Sequence, residues 1–286
     1  MKSAIGLLCL LLSLTSVGAS AESGPGTLER ISKRGVVRLG YLQDAAPFSH
    51  AEAGKSPAGF SIDLCDRVVE DLRKQLKLPE LKQEWVKVTL KDRLQAVREG
   101  RIDLECGTTT VTLSRHEDVD FSLMTFVDGG SLLVKVGAGL TRLADFAGKR
   151  ISVVTGTTTT EALPRELKRL GVQAQMVPVP DERKGMALLA AGEVDAYASD
   201  RLVLLGLALD AQGGQAFRLI DEDFSIEPYA LVLRRDDHDF RLAVNRALAR
   251  VYRSGEIRKI YDTWLGKMGR PGVLLSALYV LQALPE

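Results

Sequence analysis

The chain has 286 residues, and its 38 lysines and arginines nearly balance its 37 aspartates and glutamates, which leaves a formal net charge of +1. So small an excess of charge argues against nucleic acid or an anionic membrane as the partner. The length allows two modest domains or one large one.

The N-terminus predicts a secretory signal peptide over residues 1–21. A short charged start precedes a mostly apolar stretch from Ala4 to Ala19, and Ala19-Ser20-Ala21 places small residues where signal peptidase reads them. The stretch is short and interrupted by Ser and Thr, so an uncleaved membrane anchor is the lesser alternative. We therefore expect a mature periplasmic chain of 286 − 21 = 265 residues.

Two cysteines remain after cleavage, Cys65 and Cys106, because Cys9 leaves with the signal peptide. In an oxidising periplasm two cysteines can pair. They can equally stay apart as small buried hydrophobic residues, and the sequence does not decide between these alternatives.

Beyond the signal segment, short apolar strands alternate with longer amphipathic helices, a pattern typical of an α/β protein. The predicted strands lie at residues 35–42, 84–88, 102–106, 151–155, 174–179, 195–199 and 229–233. The predicted helices lie at residues 61–76, 90–100, 162–171, 186–194, 200–209, 240–253 and 256–265. After the Pro271-Gly272 breaker, the apolar run from Val273 to Leu284 predicts a tail that packs back onto the body.

Two glycine–threonine runs stand 49 positions apart, Gly107-Thr108-Thr109-Thr110 and Gly156-Thr157-Thr158-Thr159. Each follows an apolar segment, and each precedes a possible helix, where free N–H groups and hydroxyls suit a small anion. The segments LQAVREGRIDLEC and MALLAAGEVDAYA also repeat one pattern, in which Gly100 and Gly192 are predicted to end helices in the left-handed conformation. Duplicated runs indicate two halves that close on one small molecule.

Signatures of catalysis and of metal binding are scarce. His50, His116 and His238 are scattered without ligand spacing, so we expect surface histidines, no metal site and no cofactor. The sequence has no Walker loop and no nucleophile elbow.

Several side chains fit a small zwitterion. Arg115 can hold a carboxylate through two parallel N–H bonds, and the alternative is a solvated arginine paired with Asp118 or Asp120. Asp200 follows a predicted strand and opens a predicted helix, where it can accept from an ammonium group or act as a helix N-cap.

The second threonine run has a purely structural alternative. Thr158 and Glu161 have the spacing of a capping box. Pro164 follows within the same predicted helix, so we expect this helix to start late or to kink.

Five segments in fixed order resemble family 3 periplasmic solute-binding proteins, which deliver polar amino acids to ABC importers: GFSIDLCDRVVEDL, GRIDLECGTTTVTLSRHEDVDFS, LADFAGKRISVVTGTTTTEAL, GEVDAYASD and GEIRKIYDTWLG. The resemblance runs from Ile31 to Gly266 and looks most like the glutamate/aspartate-binding branch. It implies a type II periplasmic binding fold, α/β in class, with two lobes hinged by two crossing strands and a ligand cleft between them. The implied parts are lobe 1 at 27–127 and 229–266, lobe 2 at 133–225, crossings near 128–130 and 226–228, and a tail at 267–286.

The resemblance also implies a division of roles at the cleft. Arg115 is expected to hold the ligand α-carboxylate, helped by Thr110 and Thr108. Asp200 is expected to take the α-ammonium group from lobe 2. The implied lobe 2 partners of the carboxylate are Thr159 and Thr158.

For the ligand side chain, the resemblance implies that Arg93 meets a carboxylate, and the alternative is a charge on a helix surface. Here the chain departs from the acidic branch, with Leu42 in place of an arginine, Leu90 in place of a small hydroxyl residue and Glu182 in place of a histidine. Glu182 would repel an acidic side chain unless Arg183 or Arg93 neutralises it. A ligand with a longer, less acidic or cationic side chain therefore remains an alternative.

The first functional hypothesis is a monomeric, non-enzymatic protein that captures an amino acid, with glutamate and aspartate first, and docks on an ABC permease in the inner membrane. The second is a periplasmic enzyme that resembles cyclohexadienyl or arogenate dehydratase, with Glu161 or Glu182 as the acid. The third is a sensor that presents its ligand to a receptor.

Overall fold

A computed structural model describes residues 25–210 and 216–286, so the predicted signal peptide lies outside the described residues. Within these two ranges, no helix combines the length and the apolar character that crossing a membrane requires.

The helices are α1 Thr27–Arg34, α2 Phe60–Gln75, α3 Arg93–Arg98, α4 Leu113–His116, α5 Thr159–Arg169, α6 Glu182–Ala191, α7 Arg201–Asp210, α8 His238–Arg253, α9 Glu256–Leu265 and α10 Val273–Leu281. The strands are β1 Val36–Leu42, β2 Asp44–Ala45, β3 Ser49–His50, β4 Lys82–Val88, β5 Leu104–Glu105, β6 Val119–Lys135, β7 Arg150–Val154, β8 Gln175–Val179, β9 Ala196–Asp200, β10 Phe217–Leu219 and β11 Ser225–Arg234. The predicted strands and helices are confirmed to within four residues at each bound, whereas α1, β2, β3, α4, β6 and β10 were not predicted.

One large sheet runs through the molecule in the order β4-β1-β5-β11-β6-β9-β7-β8, with β10 added to β6. β1 pairs in parallel with β4 and β5, and β7 pairs in parallel with β8 and β9. Between these parallel halves lie β6 and β11, which run antiparallel to each other. The α/β class predicted from the alternation of strands and helices is confirmed.

The two predicted crossing segments are neighbours in this antiparallel pair. Gly130 lies opposite Ser225, Gly129 opposite Ile226 and Asp128 opposite Glu227. A Cβ atom at Gly130 would lie 2.4 Å from the side chains of both Phe224 and Ser225, so a larger residue does not fit at this crossing.

Apolar side chains form buried clusters on both sides of the crossing. On one side, Phe48 packs edge-on against Phe60, Phe126 and Tyr229, with ring centroids 5.0–5.9 Å apart. On the other side, a separate cluster surrounds Phe146 and draws on β7, β9 and α5. The lobe bounds inferred from the resemblance stay a prediction.

The C-terminal helix α10 lies against the body of the molecule. Leu275 and Tyr279 are buried, and the Tyr279 hydroxyl donates to the Thr125 carbonyl at 3.1 Å. The Gln282 side chain accepts from the Met124 N–H at 2.8 Å, which ties the end of the helix to β6.

Local expectations have mixed outcomes. Gly100 and Gly192 have φ angles of 69° and 75°, which confirms the predicted left-handed positions. The expected late start of α5 is wrong, because the helix begins at Thr159 and contains Pro164. Placing His50 on the surface is also wrong, since it is half-buried with its ring centroid 5.7 Å from that of Trp264.

Cys65 and Cys106 form a disulfide, which resolves the alternative that the sequence left open. The bond joins α2 to the residue that follows β5, with the two Cα atoms 6.2 Å apart. Cys106 directly precedes the first glycine–threonine run, so the cross-link anchors this run to the helix behind it.

Replacing both cysteines by alanine is expected to lower the free energy of unfolding. The bond spans 41 positions of chain, and a loop of that length stabilises by about 3–4 kcal/mol through the restricted unfolded chain. Urea unfolding of the mature protein and of the double variant measures the difference. Equal midpoints, or two titratable thiols in the unreduced protein under denaturing conditions, would contradict the expectation.

Candidate functional site

The two glycine–threonine runs meet across a cleft. Residues 107–110 follow β5, whereas residues 156–159 follow β7 and lead into α5. A Cβ atom at Gly156 would lie 3.2 Å from the Lys91 Cα and 3.3 Å from the Leu90 carbonyl oxygen on the opposite side. The cleft between the runs is lined by Leu90, Arg93, Thr108, Thr110, Arg115, Thr157, Thr158, Thr159, Glu182, Ser199 and Asp200.

Arg115 projects from the short helix α4, which Thr112 caps by accepting the Arg115 N–H at 3.1 Å. One guanidinium nitrogen of Arg115 donates to the Thr110 carbonyl at 2.7 Å, which aims the group along the cleft wall. Burial, with the neighbouring charge of Arg93, lowers the pKa of Arg115 to about 10, so the group keeps its charge at neutral pH.

The alternative pairing of Arg115 with the two nearby aspartates is wrong. Asp118 pairs with Arg98 at 3.1 Å, and Asp120 pairs with Arg241 at 3.4 Å. Arg115 therefore has guanidinium donors for a ligand.

Glu227 lies at the crossing and contacts both sides of the cleft. Its carboxylate accepts from the hydroxyls of Thr110 at 2.6 Å, Thr158 at 2.8 Å and Ser225 at 2.5 Å. The predicted capping box of Thr158 and Glu161 is therefore wrong, because the Thr158 hydroxyl is committed to Glu227 and makes no cap bond.

Other threonines of the two runs also line the cleft. Thr108 and Thr159 are both buried and line it. In the described chain, the N–H groups of Thr159 and Thr160 at the start of α5 have no backbone acceptor. Such N–H groups favour a carboxylate at this end of the cleft.

Asp200 ends β9, where it pairs with Gly130 of the first crossing. The N-cap alternative is wrong, since the Leu202 N–H at the start of α7 is accepted by Asp128 at 3.0 Å. Burial and the nearby charge of Glu227 raise the pKa of Asp200 well above its usual value. A cation placed beside Asp200 would reverse this shift, and a ligand ammonium group is such a cation.

Arg93 is only 2 % exposed, so the alternative of a helix-surface charge is wrong. Its Nε donates to the Thr109 hydroxyl at 2.6 Å, and a second nitrogen donates to the Leu90 carbonyl. Burial lowers the pKa of Arg93, and the carboxylate of Glu105 opposes that shift most strongly.

Glu182 begins α6 and is buried, with the Tyr197 hydroxyl donating to one of its oxygens. Burial raises the pKa of Glu182 to about 7, although the Tyr197 hydrogen bond and the charge of Arg93 oppose the shift. Of the two arginines that could neutralise Glu182, Arg183 pairs instead with Asp44 across the cleft.

Leu42 is the one predicted ligand contact that does not line the central cleft. It lines an adjoining cavity of about 120 Å³ together with Val88, Leu90 and Glu182. Leu90 and Glu182 belong to both spaces, so a side chain that extends from the central cleft passes over them toward Leu42.

The family match covers residues 37–267 and is described as bacterial extracellular solute-binding proteins, family 3. The chain belongs to this family. The predicted resemblance is therefore confirmed.

The sequence of this family 3 protein is similar to those of two glutamate/aspartate-binding proteins. It is 34 % identical over 260 residues to the L-glutamate/L-aspartate-binding protein of Pseudomonas aeruginosa, covering 89 % of this chain and 85 % of the relative. It is 29 % identical over 265 residues to the glutamate/aspartate import solute-binding protein of Escherichia coli, covering 92 % and 88 %.

A solved structure of similar fold is that of an ancestral amino acid-binding protein, a precursor of cyclohexadienyl dehydratase. The match has a TM-score of 0.72 and 26 % identity, and it covers 83 % of this chain and 99 % of that chain. The predicted two-lobe binding-protein fold is thereby confirmed.

Sequence reasoning missed the roles of several polar residues of this solute-binding protein. Thr109, Tyr197 and Glu227 hydrogen-bond to residues of the cleft, and the charge of Glu105 acts on Arg93. Glu105 stands between Leu104 and Cys106, and Glu227 stands between Ile226 and Pro228. A carboxylate flanked by apolar residues in a strand is a signal that points to a site. Within residues 25–210 and 216–286, no group of three His, Cys, Asp or Glu side chains is arranged to hold a metal ion.

Gly156→Ala is expected to weaken ligand binding, because the added methyl group meets the backbone of Leu90 and Lys91 when the lobes close. Gly148→Ala is the matched control, since its φ of 72° is close to the 82° of Gly156 but no atom lies within 4 Å of its Cβ position. Both variants carry the same backbone strain. Only Gly156→Ala is expected to reduce the thermal shift caused by a mixture of the twenty common amino acids, and equal shifts would contradict this role of Gly156.

Proposed function

We propose that this family 3 protein captures an α-amino acid by closure of its lobes and delivers it to an ABC importer in the inner membrane. The observation that carries the proposal is the placement of Arg115 and Asp200, opposite charges that line the same cleft. A zwitterion satisfies both charges at once, whereas an anion or a cation alone satisfies only one.

The carboxylate end of the ligand belongs beside Arg115. The free N–H groups of its guanidinium form a planar fork that matches a carboxylate. Thr108 and Thr110 line the cleft on the side of Arg115, and Thr159, whose N–H has no backbone acceptor, lines it at the start of α5. The ammonium end then lies against Asp200.

Closure is favoured by a ligand that touches both lobes. Two contacts accompany the closed arrangement: the hydrogen bond from Thr158 to Glu227 and the ion pair between Asp44 and Arg183. Neither contact involves the ligand, so the ligand needs to supply only the remaining free energy of closure.

Glutamate and aspartate are the first candidate ligands, because two relatives are named for them and Arg93 lines the cleft beyond the α-carboxylate site. We further propose that the protein acts as a monomer in the periplasm after cleavage of residues 1–21. Its macromolecular partner is then the permease that receives the ligand from the closed form.

A dehydratase is the second candidate, favoured by one observation on this chain and one on a neighbour. Glu182 is a buried carboxyl group whose pKa of about 7 suits a general acid. A structure of similar fold is described as a precursor of cyclohexadienyl dehydratase. Turnover of prephenate or arogenate by the purified protein would establish this candidate.

The deciding experiment is a thermal-unfolding panel on residues 22–286, refolded from denaturant to remove co-purified ligand. The panel holds the twenty common amino acids, prephenate and arogenate. A ligand at 1,000 times its Kd stabilises by about 4 kcal/mol, which moves the midpoint of a chain of this size by about 8–16 °C. Shifts with amino acids support capture, and a panel without any shift overturns it.

Arg115→Ala is expected to lower the affinity for the amino acid found in that panel by more than about 100-fold. Two hydrogen bonds to a charged carboxylate are lost, each worth about 1.5–3 kcal/mol. Titration calorimetry measures the loss.

Arg98→Ala is the control, because Arg98 is an exposed arginine that pairs with Asp118 and lies outside the cleft. Arg115→Lys keeps the charge without the planar fork and is expected to bind weakly. An Arg115→Ala protein with unchanged affinity removes Arg115 from the carboxylate site.

A further inference from the structure

The far end of the cleft presents one donor group and one acceptor group to whatever enters it. Arg93 uses two of its guanidinium nitrogens on Thr109 and Leu90, which leaves N–H donors that face the lining of the cleft. Glu182 receives the Tyr197 hydroxyl on Oε2, and within the described chain its Oε1 has no hydrogen-bond partner.

The space beside these two groups has apolar walls in part, although Asp44, Lys87 and Asp181 also line the adjoining cavity. Leu90 lines the central cleft beside Arg93 and Glu182, and Leu42 and Val88 line the adjoining cavity of about 120 Å³. That volume is the space of about four water molecules in the liquid. The methylene groups of a short polar side chain fit such walls, and its polar end must then satisfy Arg93 and Glu182 together.

Three kinds of side-chain end meet these two groups differently. A carboxylate only accepts, so it suits Arg93 and is repelled by an ionised Glu182. An ammonium or guanidinium group only donates, so it suits Glu182 and is repelled by Arg93. A carboxamide does both, since its oxygen accepts from Arg93 while its NH₂ group donates to Glu182.

We propose that Arg93 and Glu182 form a subsite for a side-chain carboxamide, and that a side-chain carboxylate binds there only together with a proton taken up from solvent. The proposal rests on the proposed function, since it assigns the side-chain end of an α-amino acid that Arg115 and Asp200 hold. Glutamine and asparagine then bind without proton uptake, whereas glutamate and aspartate require a protonated Glu182.

The surroundings of Glu182 are consistent with a proton on this residue near neutral pH. The pKa of Glu182 is raised to about 7 chiefly by burial. The charged and titratable groups around it, from every element packed against it, are Arg93 of α3, Tyr197 and Asp200 of β9, Asp44 of β2, Asp181 before α6, Arg183 of α6 and Lys87 of β4. Arg93 favours the ionised form, while Asp44 and Asp181 disfavour it.

The experiment measures Kd for glutamine and for glutamate by titration calorimetry at several values between pH 6 and pH 9. The ratio of the two constants is the readout, because the other carboxyl groups of the cleft and the α-amino group affect both ligands and cancel. Above the pKa of Glu182 of about 7, the ratio Kd(Glu)/Kd(Gln) is expected to rise by about tenfold per pH unit. Aspartate and asparagine provide a second matched pair.

Proton uptake is measured directly by repeating the titrations at pH 8 in buffers of different ionisation enthalpy. We expect glutamate to take up about one proton more than glutamine does, because proton release from Asp200 beside the ligand ammonium group is common to both ligands. Glu182→Gln is expected to abolish both the pH dependence of the ratio and the difference in proton uptake between the two ligands, because the carboxamide that replaces Glu182 carries no charge. Glu193→Gln is the matched control, since Glu193 is exposed beyond the other end of α6 and is expected to leave the slope unchanged.

The outcomes separate the subsite from the proposed function. A ratio that stays flat with pH, or tighter binding of glutamate than of glutamine at pH 8.5, overturns the subsite and leaves amino-acid capture standing. Binding confined to amino acids with cationic or apolar side chains does the same. If none of the common amino acids binds, the proposed function fails and the subsite fails with it.

Discussion

The carboxylate of Glu227 is the point on which the closed molecule depends. It is only 1 % exposed, and a charge removed from water is costly unless hydrogen bonds replace its hydration. Ser225 and Thr110 supply two of these bonds from the crossing and from the first threonine run, and Thr158 supplies the third from the second run. The buried carboxylate of Glu227 therefore depends on hydrogen bonds from both threonine runs and from the crossing itself.

The charged residues at the two ends of the cleft differ in how they are partnered. At one end, Arg115 and Asp200 are partnered with little besides backbone and hinge groups, which leaves them able to meet opposite charges on a ligand. At the other end, Arg93 and Glu182 influence each other directly. In the proposed function, recognition of the α-amino acid group is therefore an electrostatic match, whereas the proposed selection among side chains depends on the number of donors and acceptors.

Much of the architecture was predictable because each parallel strand and its following helix has its own hydrophobic period. The long strand β6 was not, since its residues pass from one apolar cluster through the half-buried crossing into another, and no single alternation runs through Val119–Lys135. The charged residues of the site were harder still. The sequence does not distinguish a buried Arg93 from a surface arginine, because its partner Thr109 lies 16 positions away and is brought near only by the fold.

The cross-link between Cys65 and Cys106 also bears on the order in which the chain is assembled. Both cysteines lie in the first 106 residues, whereas the strand that completes the sheet beside β5 is β11, which begins at Ser225. More than a hundred residues separate β5 from β11, so a chain that folds from its N-terminus leaves one edge of β5 unpaired over that interval. The covalent bond to α2 ties β5 to a helix of its own half of the chain, so the position of this wall of the cleft depends less on the arrival of β11.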